Sequence, residues 1–342
     1  MRIVLQLPQV KREKLERPLH CPYCKGEVFQ RWGTISRRIK DTKVRTIRVP
    51  RYKCTSCQRS FRSYPEGVSQ AQQSARLMKL CVIMWSLGLS HRSVTLILSA
   101  FGVSLSHMSG WRSVQGEGKA IRQKLQWRSA RVVGVDGAWV QGKGIMVAVD
   151  LGDGELLAIA EIDEKEKGAV AAWLKMLKQK HKIGAIVTDD LASYKEVTEE
   201  LELGHQVCQF HVRRWVGKAL KTLEKELPPE WLHVIPKIQD LISDLPVNGG
   251  KVLYELWKEL PGRTTKPDEK RTPLEKLRDL VLRLSKDWER YIEFYSDPGI
   301  PWTNNRTEQV IGRLKNRAKR VRGYKSSRGL QMGSLVACQF WT

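Results

Sequence analysis

The chain has 342 residues, 41% of them apolar, which exceeds the usual size of one domain and excludes a disordered protein. A net charge of +24 and a pI near 9.9 cost self-repulsion unless a polyanion is the working partner, so DNA or RNA is expected. No apolar stretch approaches the roughly 18 residues needed to span a bilayer, and the polar opening residues do not suit a signal peptide; no membrane partner is expected, and the location is cytoplasmic, at the nucleoid.

Seven cysteines fall as two close pairs and three scattered residues, which in a reducing compartment suggests metal ligands and not a disulfide framework. Cys21-Pro22-Tyr23-Cys24 and Cys54-Thr55-Ser56-Cys57, with 29 residues between, each form a knuckle that aims two thiolates at one tetrahedral ion. Val44, Ile47 and Val49 alternate with Arg and Lys between them, as in a hairpin. Residues 1–66 therefore read as a zinc ribbon with a structural Zn²⁺, unligated thiols being the alternative. His20 is a substitute ligand or faces solvent. Arg37, Arg38, Lys40, Lys43, Arg45 and Arg48 give the hairpin a basic face suited to phosphates.

Residues 67–130 turn helical. Ser90 before His91–Leu98 and Ser104 before Leu105–Arg112 are serine caps joined by a turn at Gly102, the pattern of a helix-turn-helix with Leu105 to Gln115 as the reading helix and Arg112 on it. A plain three-helix packing module, with Met108 and Trp111 in its core, is the alternative. Lys119 to Arg131 reads as a basic helical link.

Residues 131–215 and 301–342 read as the catalytic core. Arg131–Val135 is an apolar, β-branched run that delivers Asp136 and then Gly137, as a buried central strand does at the rim of a sheet. Ala185–Thr188 repeats the pattern and ends on Asp189 and Asp190. Side by side, these strands bring Asp136 and Asp189 together, and two converging carboxylates repel unless a hard divalent cation lies between them. Runs at 144–150 and 156–161 flank a Gly152-Asp153-Gly154 turn and make a meander with the Asp136 strand. A helix bearing Val170, Trp173, Leu174 and Leu177, the Asp189 strand, a helix over 192–203 and a strand around 206–211 complete the element order of a ribonuclease-H-like α/β fold. Asp150, Asp153 and Asp163 read as solvated, and Asp190 as a helix cap.

Residues 216–300 read as an α-helical insertion. Thr272-Pro273-Leu274-Glu275 starts a helix with a capping box, and Leu274, Leu277, Val281, Leu284, Trp288, Tyr291 and Tyr295 form one apolar stripe. Trp215, Trp231, Trp257 and Trp288 are core residues or, for one of them, a platform for a flipped base. The helix opened by Thr303–Glu308 carries eight Lys or Arg and no acid from Arg313 to Arg328, including Arg313, Lys315, Arg317, Lys319 and Arg320. Glu308 closes a capping box with Asn305 or stands as a lone acid beside this phosphate-binding face, which it shares with Gly312 and Lys315 by helical spacing.

Asp136 after a strand, Val187-Thr188-Asp189, Cys208-Gln209-Phe210-His211, and Thr303–Glu308 with Lys315 seven residues on resemble an insertion-sequence DDE transposase, of a subtype similar to Mutator-like elements. The resemblance covers nearly the whole chain, and the 119-residue step from Asp189 to Glu308 leaves room for the insertion. It implies that Asp136, Asp189 and Glu308 hold two Mg²⁺ (or Mn²⁺) ions ~4 Å apart for in-line attack on a phosphodiester. It also implies that Lys315 holds a phosphate of the element's end and that Cys208 and His211 give structural support, with zinc binding by this pair as the lesser alternative. The partners would be double-stranded DNA, as element ends and target, and further copies of the chain in a homodimer or higher oligomer. A domesticated, non-catalytic DNA-binding regulator that kept the fold is the second reading, and a ribonuclease-H-like nuclease acting on RNA or branched DNA the third.

Overall fold

The computed structural model describes residues 6–14, 16–126, 128–266, 268–320, 324 and 326–339. The chain divides into two compact units, one of residues 1–122 with 316–340 and one centred on residues 123–315.

In the first unit, β1 (Phe29–Arg38) pairs antiparallel with β2 (Thr46–Cys54), which pairs with β3 (Ser60–Arg62). Ile47 and Val49 are buried on one side, as the alternation requires; the phase changes at Pro50, and Tyr52 and Cys54 are buried in a separate cluster where Phe29, Tyr52 and Phe61 pack beside the cysteines. Helices α1 (Ala75–Ser86), α2 (His91–Ala100) and α3 (His107–Leu125) follow. Their first turns are closed by the hydroxyls of Ser74, Ser90 and Ser106. The third cap is thus Ser106, not Ser104, because Leu105 is buried with Val103 in the core of Leu77, Cys81, Val94 and Leu98. The expected reading helix and basic link are largely one helix, α3, which ends at Leu125. Met108 is 43% exposed, so it is not core.

Asp41 ties ribbon to helices. Its buried carboxylate accepts the Lys43 and Val44 amides at 2.8 Å and the Ser74 hydroxyl, and lies 3.4 Å from Arg76. These donors hold it below the ordinary carboxylate range despite burial, which pushes the other way.

The second unit carries a five-stranded mixed sheet of order β6-β5-β4-β7-β8, from β4 (Val132–Val140), β5 (Lys143–Asp150), β6 (Leu156–Ala160), β7 (Ala185–Thr188) and β8 (Gly204–Val207). The first three form the antiparallel meander, and β4, β7 and β8 run parallel. Helix α4 (Lys167–His181) connects β6 to β7 and α5 (Ala192–Glu200) connects β7 to β8. Val170, Trp173, Leu174 and Leu177 are buried as their spacing requires. This is a mixed α/β fold with the strand and helix order expected from sequence.

The final strand stops at Val207, where its partner β7 runs out, so Gln209–His211 form the first turn of α6 (Gln209–Leu223) instead of a strand. Then come a 3-10 turn at Pro229–Trp231, α7 (Val234–Asp244), α8 (Gly249–Glu259), α9 (Pro273–Tyr291) and α10 (Glu293–Ser296). They share one apolar cluster with α6, inside the same unit as the sheet. Helix α8 meets α9 closely: a Cβ at Gly249 would fall 2.1 Å from the Trp288 ring, and the indole donates to the Pro246 carbonyl at 3.0 Å. The capping box of Thr272 and Glu275 forms. Tyr295 leaves the expected stripe, being 50% exposed, because α9 ends at Tyr291 and α10 starts a new axis.

Helix α11 (Asn305–Arg320) is counted with the second unit up to Lys315 and with the first from Asn316. Helix α12 (Ser327–Gln339) falls wholly in the first unit, where Gly118 admits Met332. Residues 316–320 and 326–339, which the sequence reading places in the catalytic core, therefore group with the ribbon and the three helices.

Candidate active site and metal centres

The four ribbon cysteines have sulfur atoms within 4.8 Å of one another. Cys21 Sγ lies 3.7 Å from Cys57 Sγ and Cys24 Sγ 3.6 Å from Cys54 Sγ. A tetrahedron with Zn–S of ~2.3 Å has an edge of ~3.8 Å, so the spacing fits zinc. Lys25 and Gln58, each directly after the second cysteine of its pair, adopt left-handed φ of 63° and 58°, which folds both knuckles alike. Backbone N–H groups of Cys57 and Ser56 pull the Cys54 thiol down to about 6, favouring the thiolate that a metal needs. His20 lies outside this cluster, beside Glu27.

In the second unit the site forms at the carboxyl ends of the parallel strands. The pairs Val133↔Ile186 and Gly134↔Val187, continued by two residues, set Asp136 opposite Asp189 on strands ~4.8 Å apart. Cys208 stands next along the row, its amide bonded to the Thr188 carbonyl at 2.8 Å. Burial pushes Asp136 up to about 6 and Asp189 up to about 7, the Asp136 and Glu164 charges adding to burial for Asp189.

Glu308 reaches the site from α11. Asn304 anchors that helix on the sheet, its side-chain amide donating to the Val135 carbonyl at 3.1 Å. Gly134 makes the contact feasible, since a Cβ there would fall 2.1 Å from Thr307 Oγ1. Glu308 Oε1 lies 3.6 Å from His211 Nε2. His211 is pushed up to about 8, first by its hydrogen bond with Cys208 and further by the charges of Glu308 and Asp189. Donor atoms of Cys208, His211 and Glu308 come within 4.8 Å of one another. Asp136 and Asp189 thus meet at the sheet, while Glu308 turns toward the Cys208–His211 pair.

Glu164 was not singled out in the sequence. It overhangs Gly137, where a Cβ would fall 2.1 Å from its Oε2, and its charge bears on both Asp136 and Asp189. Only Gly137 after the strand acid hinted at such an approach. Asp190 does not cap α5 but is held by Lys195 at 2.6 Å and Arg283 at 2.8 Å. Asp150 and Asp153 share Arg128.

Among the expected DNA-binding cations, Arg38, Arg112, Lys315 and Lys319 are exposed and Arg313 is half-buried. Arg45 donates to the Gly102 carbonyl at 2.7 Å and Arg320 to that of Leu87 at 3.0 Å. Arg317 is 4% exposed, lies 4.0 Å over the Trp85 ring and donates to the Leu89 carbonyl, so it packs helices and is not open to a phosphate. Trp288 is core, and Trp215, Trp231 and Trp257 pack on the same cluster. The exposed aromatics near the site are instead Phe210 and Trp302, each about half exposed.

Residues 163–332 match the transposase IS66 family. That span holds Glu164, Asp189, Cys208, His211, Glu308 and Lys315 and begins after Asp136. The chain is also similar to an insertion element ISM1 uncharacterized 48.3 kDa protein of Methanobrevibacter smithii, 22% identical over 347 residues and covering 96% of this chain and 84% of that one. A further match is the catalytic core domain of BIV integrase, 15% identical with a TM-score of 0.22, over 45% of this chain and 99% of that one. The first two matches support an insertion-sequence transposase; the Mutator-like subtype is not supported, the matching family being IS66. No helix among the described residues is long and apolar enough to cross a membrane.

Proposed function

We propose that the chain is a DDE transposase that binds terminal inverted repeats through its ribbon and three-helix unit, and cuts and joins DNA at Asp136, Asp189 and Glu308. The observation that carries this reading is the approach of Asp136 and Asp189 at the ends of β4 and β7, and it is supported by α11, which carries Glu308 and whose preceding Asn304 is bonded to the Val135 carbonyl next to Asp136. The donor set fits hard divalent cations. It is made of carboxylate oxygens, and Asp189 Oδ1 and Glu308 Oε1 are buried without a hydrogen-bond partner among the described residues. Two such cations, when bound, neutralise charge at a phosphodiester and activate water or a 3′-hydroxyl.

The chain's own groups do the rest. Asp136 is held in place by the Gly137 amide, which donates to its Oδ1 at 2.7 Å. Burial that raises both aspartates makes their charged pair costly alone, so cation affinity is built into the fold. Lys315 is exposed, its charge reaches Asp136, and it would grip a phosphate of the element's end. Phe210 and Trp302 are each about half exposed, Trp302 with the Arg213 guanidinium 6.0 Å from its ring centroid, and a terminal base would stack on them.

The test is Mg²⁺- or Mn²⁺-dependent nicking and strand transfer on DNA carrying the element's ends. Asp136→Ala, Asp189→Ala and Glu308→Ala are each expected to abolish both reactions while DNA retention in a gel survives. Full strand transfer by these variants would overturn the proposal.

A further inference from the structure

The ligand neighbours of Glu308 are Cys208 and His211, a thiol and an imidazole, which suit zinc-class ions and not magnesium. The aspartates, hard oxygen ligands, lie beyond His211, whose charge reaches both of them. We propose that Cys208, His211 and Glu308 form a second metal site, for Zn²⁺ or a similar borderline ion, and that its occupation draws Glu308 away from Asp136 and Asp189.

The backbone pre-forms this site. Cys208 precedes the first turn of α6 and His211 lies within it, so a spacing of three turns both side chains to one side. The start of the turn is pinned by two successive amides, Cys208 on the Thr188 carbonyl and Gln209 on the Trp302 carbonyl at 3.0 Å, and the His211 amide closes it on the Cys208 carbonyl at 3.0 Å. Glu308 comes from a helix that Asn304 fastens to β4. The three donors therefore belong to elements fixed on one sheet, and all approach within 4.8 Å. A tetrahedral ion with Zn–N and Zn–O of ~2.0–2.2 Å needs an N···O edge of ~3.3–3.5 Å, close to the 3.6 Å between His211 Nε2 and Glu308 Oε1. Glu308 Oε1 and His211 Nδ1 are buried with no hydrogen-bond partner among the described residues, a cost that a ligated metal removes on the oxygen. Cys208 Sγ already accepts the Asn304 amide at 3.3 Å, a contact that supports a thiolate.

Three protein ligands leave one position open, unlike the four cysteines of the ribbon. Binding releases the thiol proton and takes the imidazole in its neutral form. The metal site does not require that the chain cut DNA; its effect on Glu308 rests on the preceding reading.

The experiment is a Co²⁺ titration of the full-length, metal-stripped protein, read by the sulfur-to-cobalt charge-transfer band, which cobalt held by carboxylates alone does not give. Wild type is expected to show two thiolate-bound equivalents, one in the ribbon and one here. Cys208→Ser and His211→Gln are expected to show one, with urea melts like that of wild type showing that they fold. Glu308→Gln is expected to weaken the second equivalent about tenfold or more. Two equivalents of unchanged affinity in all three variants would overturn the site. For the effect on Glu308, Zn²⁺ added to fill the site is expected to lower Mg²⁺-dependent nicking in wild type. Nicking undiminished at full occupancy would overturn that effect and leave the binding result standing.

Discussion

Asp189 and Asp190 are neighbours of one residue type with opposite fates. Asp190 is 4% exposed in its side chain and is neutralised by Lys195 and Arg283, with the Tyr291 hydroxyl also on its Oδ2, which joins α5 to α9. Asp189 is left with an orphaned Oδ1 beside Asp136. Asp190→Asn is therefore expected to cost about 2–3 kcal/mol in denaturant unfolding, since two cations lose a buried partner and keep only Asp287 nearby. Metal-dependent activity per folded molecule is expected to stay. The basic helix α11 divides in the same way. Lys315→Ala is expected to weaken DNA binding uniformly and to reduce the salt slope by about 1. Arg317→Lys is expected to leave that slope unchanged and to cost about 1–2 kcal/mol of stability, because lysine cannot stack on Trp85 and reach the Leu89 carbonyl as guanidinium does. Salt titrations of binding and urea melts separate the two. Sequence could not sort these residues, since a helix alternating charge and apolar positions says which faces exist but not which cation covers a tryptophan from another element.

At the scale of elements, the signals that survived were local ones. The C-x-x-C knuckles, the Gly152–Gly154 hairpin and the capping box at Thr272 depend on a few neighbouring residues, and each formed where its residues stand. The misread ends depended on partners. Gln209–His211 looks extended until β7 stops at Thr188 and leaves β8 nothing to pair with. Tyr295 continues a period that the break at Ile292 ends. Glu275 shows what one cap can gather: its buried carboxylate accepts the amides of Thr264, Thr265 and Thr272 and the hydroxyls of Thr264 and Thr265. The Thr265 amide first, then the others, holds it down to about 2. A depressed carboxylate contributes stability above its unfolded value of 4.5, and loses it as pH falls through its folded value. The stability gap between wild type and Glu275→Gln is thus expected to be full above about pH 5 and to shrink toward pH 2, read from urea midpoints across that range. A gap independent of pH would remove the charge from this account.

At the scale of the molecule, the sheet order and the parallel β4 and β7 bring Asp136 and Asp189 to one end of the sheet, as the alternation of strands and helices suggested. Charge also reads at this scale: +24 over 342 residues is an electrostatic liability that a DNA partner would turn into affinity. The grouping of α12 with the ribbon unit was not legible, because its run from Gly329 to Cys338 is buried almost throughout and its place depends on which groove accepts it. The third carboxylate was legible only in part. Glu308 stood out as a lone acid on a basic helix, whereas Glu164, in the loop before α4, becomes visible only once Gly137 lets it over the strand. The two acids make opposing claims on the same aspartates, and the central claim is that Glu308 completes the set. Its most direct test is Mn²⁺-dependent nicking of element-end DNA by Glu308→Gln and Glu164→Gln side by side, at equal DNA occupancy. The account predicts a loss of about 10²-fold or more for Glu308→Gln and a retained reaction for Glu164→Gln; an active Glu308→Gln beside an inactive Glu164→Gln would contradict it.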